Sequence, residues 1–214
     1  MTGISDLPVD LPGSSLWRAP APLLLASASA TRRDLLTGAG LPVETAPARI
    51  DERALEAEGG EIVPVDLARR LARAKAAEVA ARHPGRVVIG ADQVLECEGR
   101  IFHKPADLKA AHAHLARLQG RTHQLHSAVA ILRDGRAEDF AETARLTMRP
   151  LDAEAIDAYL RLAGVAVTTS VGAYQLEGLG IHLFERVEGD HSTILGLPLT
   201  PLLARLRGMG LLAF

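Results

Sequence analysis

The run RVVIGADQV, residues 86–94, constrains the fold of this chain more than any other stretch. Its apolar residues leave no polar face, so it reads as a strand buried within a sheet, with a carboxylate, Asp92, at its C-terminal end. Immediately upstream, residues 64–82 carry an apolar stripe of Leu67, Ala68, Leu71 and Ala72, with Arg69, Arg70 and Arg73 facing away. Pro64 suits the first position of a helix and HPG (83–85) suits its end, so a long helix over 64–82 is predicted. Strands and helices alternate through the first half of the chain and a strand pair follows. An α/β fold with a mixed, twisted sheet and flanking helices is therefore expected.

The remaining elements follow from local signals. LLLA (23–26) is a short strand candidate, 31–39 a helix ended by Gly38 and Gly40, and LPVETAP (41–47) a second strand. EG (98–99) predicts a hairpin pairing 92–97 with 100–104, a register that sets Gln93 opposite Lys104. Helix 107–117, a long strand through Leu132, a hairpin at RDGR (133–136), helix 152–163 and a last helix over 198–208 complete the pattern. The glycine-rich stretch 171–198 shows only strand-like pieces. Residues 1–21 read as an irregular N-terminal extension and 22–214 as one domain.

Three groups of residues suggest chemistry. LLLASASATRRDLL (23–36) places Ser27, Ser29, Arg32 and Arg33 where a strand feeds a helix N-terminus. Free backbone N–H groups, hydroxyls and a guanidinium there suit a polyphosphate. The alternative is that Ser29 only caps the helix and the arginines are solvated. Asp51, Glu52 and Asp92 form a carboxylate set able to hold Mg²⁺ together with phosphate oxygens, and Asp92 can accept a proton from water. Asp51 and Glu52 also read as acids at a helix N-terminus. Lys75 and Lys104 could offset phosphate charge or lie on the surface. The histidines match no zinc pattern, and neither a Walker A loop nor Gly-x-Ser-x-Gly occurs.

Composition narrows the class further. A net charge of −2 and 3% aromatic residues argue against a nucleic-acid or anionic-membrane binder. The lone Cys97 suits a reducing compartment, where it reads as an apolar filler. LLLASASA invites comparison with a secretory signal, but Asp6, Asp10 and several prolines replace a basic leader region. No run reaches the roughly 18–20 apolar residues of a membrane span, and a cytoplasmic location is expected.

Taken together, these motifs resemble the Maf family of nucleoside triphosphate pyrophosphatases. LLLASASATRRDLL, ARIDE, LARAKA, VVIGADQV, HKPAD, LQGRTHQLHSAVA, GAYQLEGLGIHLFERVEGD and ILGLPL follow in that family's order over about residues 22–208. The resemblance implies an elongated fold of two lobes with a central cleft, related to the inosine-triphosphate pyrophosphatases. It implies hydrolysis of a nucleoside triphosphate to the monophosphate and diphosphate, with a divalent cation, Mg²⁺ or Mn²⁺. Asp92 is implied as the proton acceptor that activates water for attack on the α-phosphorus. Ser27, Ser29, Arg32, Lys75 and Lys104 are implied as phosphate ligands, and Glu52 with Asp92 as the metal site. A homodimer is a further implication.

Base preference turns on Thr31, Gln93 and Glu177. The branch acting on dTTP and UTP has Arg, Thr and Gln there, whereas DQV and the EG-x-GI-x-LFER-x-EG run resemble the branch acting on 7-methyl-GTP. Thr31 departs from the Trp frequent in that second branch. A carboxylate at 177 can accept from a guanine N1–H and amine and favours a cationic methylated base. The expectation is a house-cleaning pyrophosphatase for 7-methyl-GTP. The alternatives are a dTTP/UTP pyrophosphatase and a non-catalytic nucleotide-binding regulator of cell division.

Overall fold

A computed structural model describes residues 15–58 and 63–214. The first fourteen residues of the expected extension lie outside the described residues. From residue 15 the chain lies against the body. Trp17 is buried, donates its indole N–H to the Ala21 carbonyl at 2.8 Å, and bridges to Leu212 near the C-terminus.

In chain order the elements are β1 (Leu23–Leu25), α1 (Ala30–Gly38), β2 (Val43–Thr45), α2 (Glu52–Ala57), α3 (Pro64–Arg82), β3 (Val88–Cys97) and β4 (Arg100–Phe102). They continue with α4 (Leu108–Leu118), β5 (Thr122–Arg133), β6 (Arg136–Met148), α5 (Ala153–Ala163), β7 (Phe184–Glu188), α6 (His191–Ile194) and α7 (Leu199–Gly208). Three 3-10 turns were not expected: Gly164–Thr169 precedes the glycine-rich stretch, and Val171–Ala173 and Leu179–Leu183 lie within it. The short α2 agrees with the reading of Asp51 and Glu52 as acids at a helix N-terminus: Asp51 caps it, accepting from Ala54 N–H at 3.0 Å.

The seven strands form one sheet in the order β2-β1-β3-β5-β6-β7, with β4 pairing only with β3. β1 runs parallel to β2 and β3, and the other pairs are antiparallel, which makes the sheet mixed as expected. Leu95 faces Phe102 and Cys97 faces Arg100, which is the expected hairpin register. The ladder stops at Phe102, however, so Lys104 does not pair with Gln93. Pro105 restricts the residue before it and brings no N–H of its own, so the strand does not continue. On the other edge of β3, Gln93 pairs with Ser127 of β5.

Three apolar clusters cover the sheet. One lies under α3, with Leu67, Leu71 and Val88. A second lies under α1 and α7, with Leu36, Ile89 and Leu202. The third joins the far ends of β3 and β5 to α4 and α5, with Leu95, Leu125, Leu115 and Ile156. The strand β3 therefore passes from the first two cores into the third around residues 92–94. Polar side chains at that junction are held by packed structure on both sides. Among the described residues no helix is long and apolar enough to cross a membrane.

Candidate active site

The site begins with a close approach of backbone to backbone. A Cβ on Gly90 would lie 2.1 Å from the Ala72 carbonyl oxygen and 2.6 Å from the Ala76 nitrogen, so only glycine lets α3 seat this deeply on β3. Lys75, on the same turn of α3, then reaches the strand two residues beyond Gly90. Its Nζ sits 2.5 Å from Asp92 Oδ1 and 2.8 Å from Glu52 Oε1. The Lys75 and Asp92 side chains are 11% and 10% exposed, whereas Glu52, opening α2, is 53% exposed. Burial pushes the Asp92 carboxyl above its usual pKa, opposed by the positive charges of Lys75 and Arg32.

The strand-to-helix turn after β1 supplies the facing wall. Ser29 caps α1, its Oγ accepting from Arg32 N–H at 3.3 Å, and Ser27 Oγ accepts from Ser29 N–H at 3.2 Å. Arg32 donates to the Gly196 carbonyl at 2.8 Å, the Ala91 carbonyl at 2.9 Å and Ser27 Oγ at 3.2 Å. The guanidinium is thus fixed between the turn, β3 and the end of α6. Burial lowers its pKa, and Asp92 and Glu52 pull it back up. The neighbouring Arg33 turns outward and pairs with Asp34 at 2.9 Å. One arginine of the pair faces the site and the other is solvated.

Gln93 is held nearly as firmly. Its amide nitrogen donates to the carbonyls of Ile194 at 2.9 Å and Thr193 at 3.2 Å and to Ser127 Oγ at 3.0 Å. Ser127 in turn donates to Thr193 O at 2.7 Å. Lys104, past the end of β4, has its ammonium pKa lowered by partial burial and then by Arg32 and Lys75. Ten of the twelve residues singled out in the sequence line one cleft of about 870 Å³: Ser27, Ser29, Thr31, Arg32, Glu52, Lys75, Asp92, Gln93, Lys104 and Glu177, while Arg33 and Asp51 do not.

Several positions that support or line the cleft escaped sequence reasoning. Gly196 has φ +89° and a Cβ there would stand 3.3 Å from the Arg32 guanidinium, so it keeps the space that Arg32 fills. Ser127 anchors Gln93. Tyr174 lines the cleft near Glu177, and its hydroxyl lies 2.7 Å from Nε2 of the buried His123. Burial lowers the His123 pKa to about 4. A glycine within an otherwise apolar strand, as at position 90, was a readable sign of close approach; the Arg32–Gly196 contact, 164 residues apart, was not.

Two carboxylates, Glu52 and Asp92, converge on Lys75. No group of three or more His, Cys, Asp or Glu side chains suited to a metal ion occurs among the described residues. Mg²⁺ and similar hard ions are commonly held by one or two carboxylates together with substrate phosphates. The donor set therefore fits a divalent cation that shares the site with a triphosphate, and does not make a closed protein site.

Comparison with known proteins agrees with this geometry. Residues 22–209 match the family model described as Maf-like protein. The chain is 58% identical over 200 residues to a nucleoside triphosphate pyrophosphatase of Nitrobacter winogradskyi, covering 93% of this chain and 99% of that protein. It is 54% identical over 201 residues to one from Rhodopseudomonas palustris, with 93% and 99% covered. A Mesorhizobium japonicum protein named 7-methyl-GTP pyrophosphatase is 51% identical over 191 residues, with 88% and 96% covered.

Proposed function

The chain belongs to the Maf-like protein family, and from that premise we propose that it hydrolyses 7-methyl-GTP, or a closely similar modified nucleotide, to the monophosphate and diphosphate. The coarser reading, a nucleoside triphosphate pyrophosphatase acting on an acid anhydride, rests on relatives of that name covering nearly the whole chain. The observation that carries the mechanism is the buried Asp92 carboxylate held by Lys75 in a cleft that also receives Arg32 and Glu177.

Asp92 accepts the proton of the attacking water at its carboxylate, and its burial keeps that carboxylate basic enough to do so. Arg32 is fixed in place before substrate arrives, so its charge faces the triphosphate with little reorganisation. Lys75 and Lys104 add positive charge toward the phosphoryl oxygens and the departing diphosphate. Ser27 and Ser29 offer hydroxyls at the opening of α1. Glu52 and Asp92 would hold the divalent cation, Mg²⁺ or Mn²⁺, whose chemistry is neutralisation of phosphate charge. Attack falls on the α-phosphorus, so that diphosphate leaves intact.

In the same cleft the exposed Glu177 carboxylate accepts from the guanine edge and favours the cationic 7-methylated base. Thr31 and the fixed Gln93 line that cleft as well. The Mesorhizobium japonicum relative bears the same substrate in its name. The proposal extends to a house-cleaning role in the cytoplasm, carried by residues 22–214 as a single domain.

The test is diphosphate release by the purified protein with Mg²⁺ or Mn²⁺ from 7-methyl-GTP, GTP, UTP, dTTP, CTP and ITP. Preference for 7-methyl-GTP is expected, and Glu177→Gln should reduce it about tenfold relative to UTP. Preference for UTP or dTTP would keep the mechanism and reject the substrate. Tight nucleotide binding without release from any of them would leave a regulator as the better account.

A further inference from the structure

We propose that a groove beside the cleft, between β4 and α4, is a second binding site for a diphosphate group. The groove has a volume of about 480 Å³ and is lined by Arg100, Phe102, His103 and Lys104 on one side and by His114 and Arg117 of α4 on the other. Among the described residues no aspartate or glutamate lines it. His103 and Lys104 also line the cleft, so the two cavities share a wall. Glu56, 3.5 Å from His103, lines the cleft and not the groove.

The charge pattern is a local departure from the rest of the molecule. The chain carries 26 acidic and 24 basic residues, yet this concave surface gathers two guanidinium groups and an ammonium group without a carboxylate among the described residues. Arg121, four residues beyond Arg117, is paired with Glu98, whereas Arg100 and Arg117 have no ion-pair partner among the described residues. The Nδ1 atom of His114 is buried without a hydrogen-bond partner among the described residues. Cations of one sign lining a concavity focus a positive potential that an anion relieves. Two guanidinium forks favour phosphate oxygens, which they bind in bidentate fashion. A diphosphate presents two such heads, enough to engage Arg100 and Arg117 while Lys104 balances further charge.

The ligand's source follows from the reaction proposed above, which releases diphosphate on the other side of the shared wall. The groove then gives the leaving group a second place to bind after it quits the cleft. The site itself stands on its own lining residues and does not require that reaction.

Titration calorimetry of the full chain with inorganic diphosphate, in the absence of divalent cations, separates the two claims. Two diphosphates per chain are expected for the native protein and one for the Arg100→Gln/Arg117→Gln variant, with an unchanged thermal melt. The variant should release diphosphate from nucleotide within twofold of the native rate. Should the double variant melt early, Arg117→Gln alone should weaken the second site at least tenfold. A diphosphate stoichiometry that the double variant leaves unchanged would overturn the proposal. Two sites on a chain that turns over no nucleotide would uphold the groove and reject the reaction.

Discussion

Replacing Gly90 by alanine tests how the fold builds the site. The new Cβ would meet the Ala72 carbonyl oxygen at 2.1 Å, the Ala76 nitrogen at 2.6 Å and the Ala76 Cβ at 2.9 Å. Two of these are backbone atoms of α3 and cannot rotate away, so the helix must lift by about 1 Å. Overpacking of a filled core ordinarily costs about 1–3 kcal/mol, and a contact with rigid backbone belongs at the upper end, near 3 kcal/mol. Lys75 rides on the same turn, so lifting α3 draws its Nζ away from Asp92 and Glu52. A misplacement of about 1 Å in a catalytic constellation costs on the order of 10²-fold in rate. Urea unfolding reads the first effect and diphosphate release the second. Gly38→Ala, where nothing lies within 4 Å, is the control and should stay within about 0.5 kcal/mol of the native protein. A Gly90→Ala protein that loses stability but keeps its full rate would refute the link between helix seating and Lys75. One that keeps both would refute the packing argument itself.

Other predictions concern charge. Lys75→Met removes the nearest charge holding the Asp92 pKa down, so the acid limb of the pH–rate profile should move to higher pH and the rate should fall; an unmoved limb would deny Asp92 the role of base. His123 is buried, with its pKa lowered to about 4 from the usual 6.5 of a histidine. Its contribution to stability is complete above pH 6.5 and is lost as pH falls toward 4, by at most about 3 kcal/mol. The drop in unfolding free energy between pH 7 and pH 4.5 should therefore be smaller for His123→Gln than for the native protein, and equal drops would contradict the assignment.

The sequence was most readable where signals were local. Pro64 and HPG bounded α3 to the residue, and α1, α4, α5 and α7 lie within about one residue of their expected spans. The EG turn gave the β3–β4 register, because a tight turn between two paired strands leaves one alignment. It did not say where pairing stops, since that depends on Pro105, which restricts Lys104 before it and brings no N–H. The segment 164–188 resisted reading because its turns are held by tertiary contacts, such as Arg149 N–H to Leu183 O at 2.9 Å, and not by a periodic apolar pattern. For the candidate site, residue types and motif order pointed to the ten side chains of the cleft. What stayed hidden was their support: Gly196 beneath Arg32, Ser127 beside Gln93, and His123 behind Tyr174.

The central claim is that water activated by Asp92 attacks the α-phosphorus. Hydrolysis in ¹⁸O-labelled water, followed by mass spectrometry of both products, tests it most directly. The account predicts label in the nucleoside monophosphate and none in the diphosphate, with turnover lost in Asp92→Asn. Label in the diphosphate, or native turnover in the variant, would contradict it.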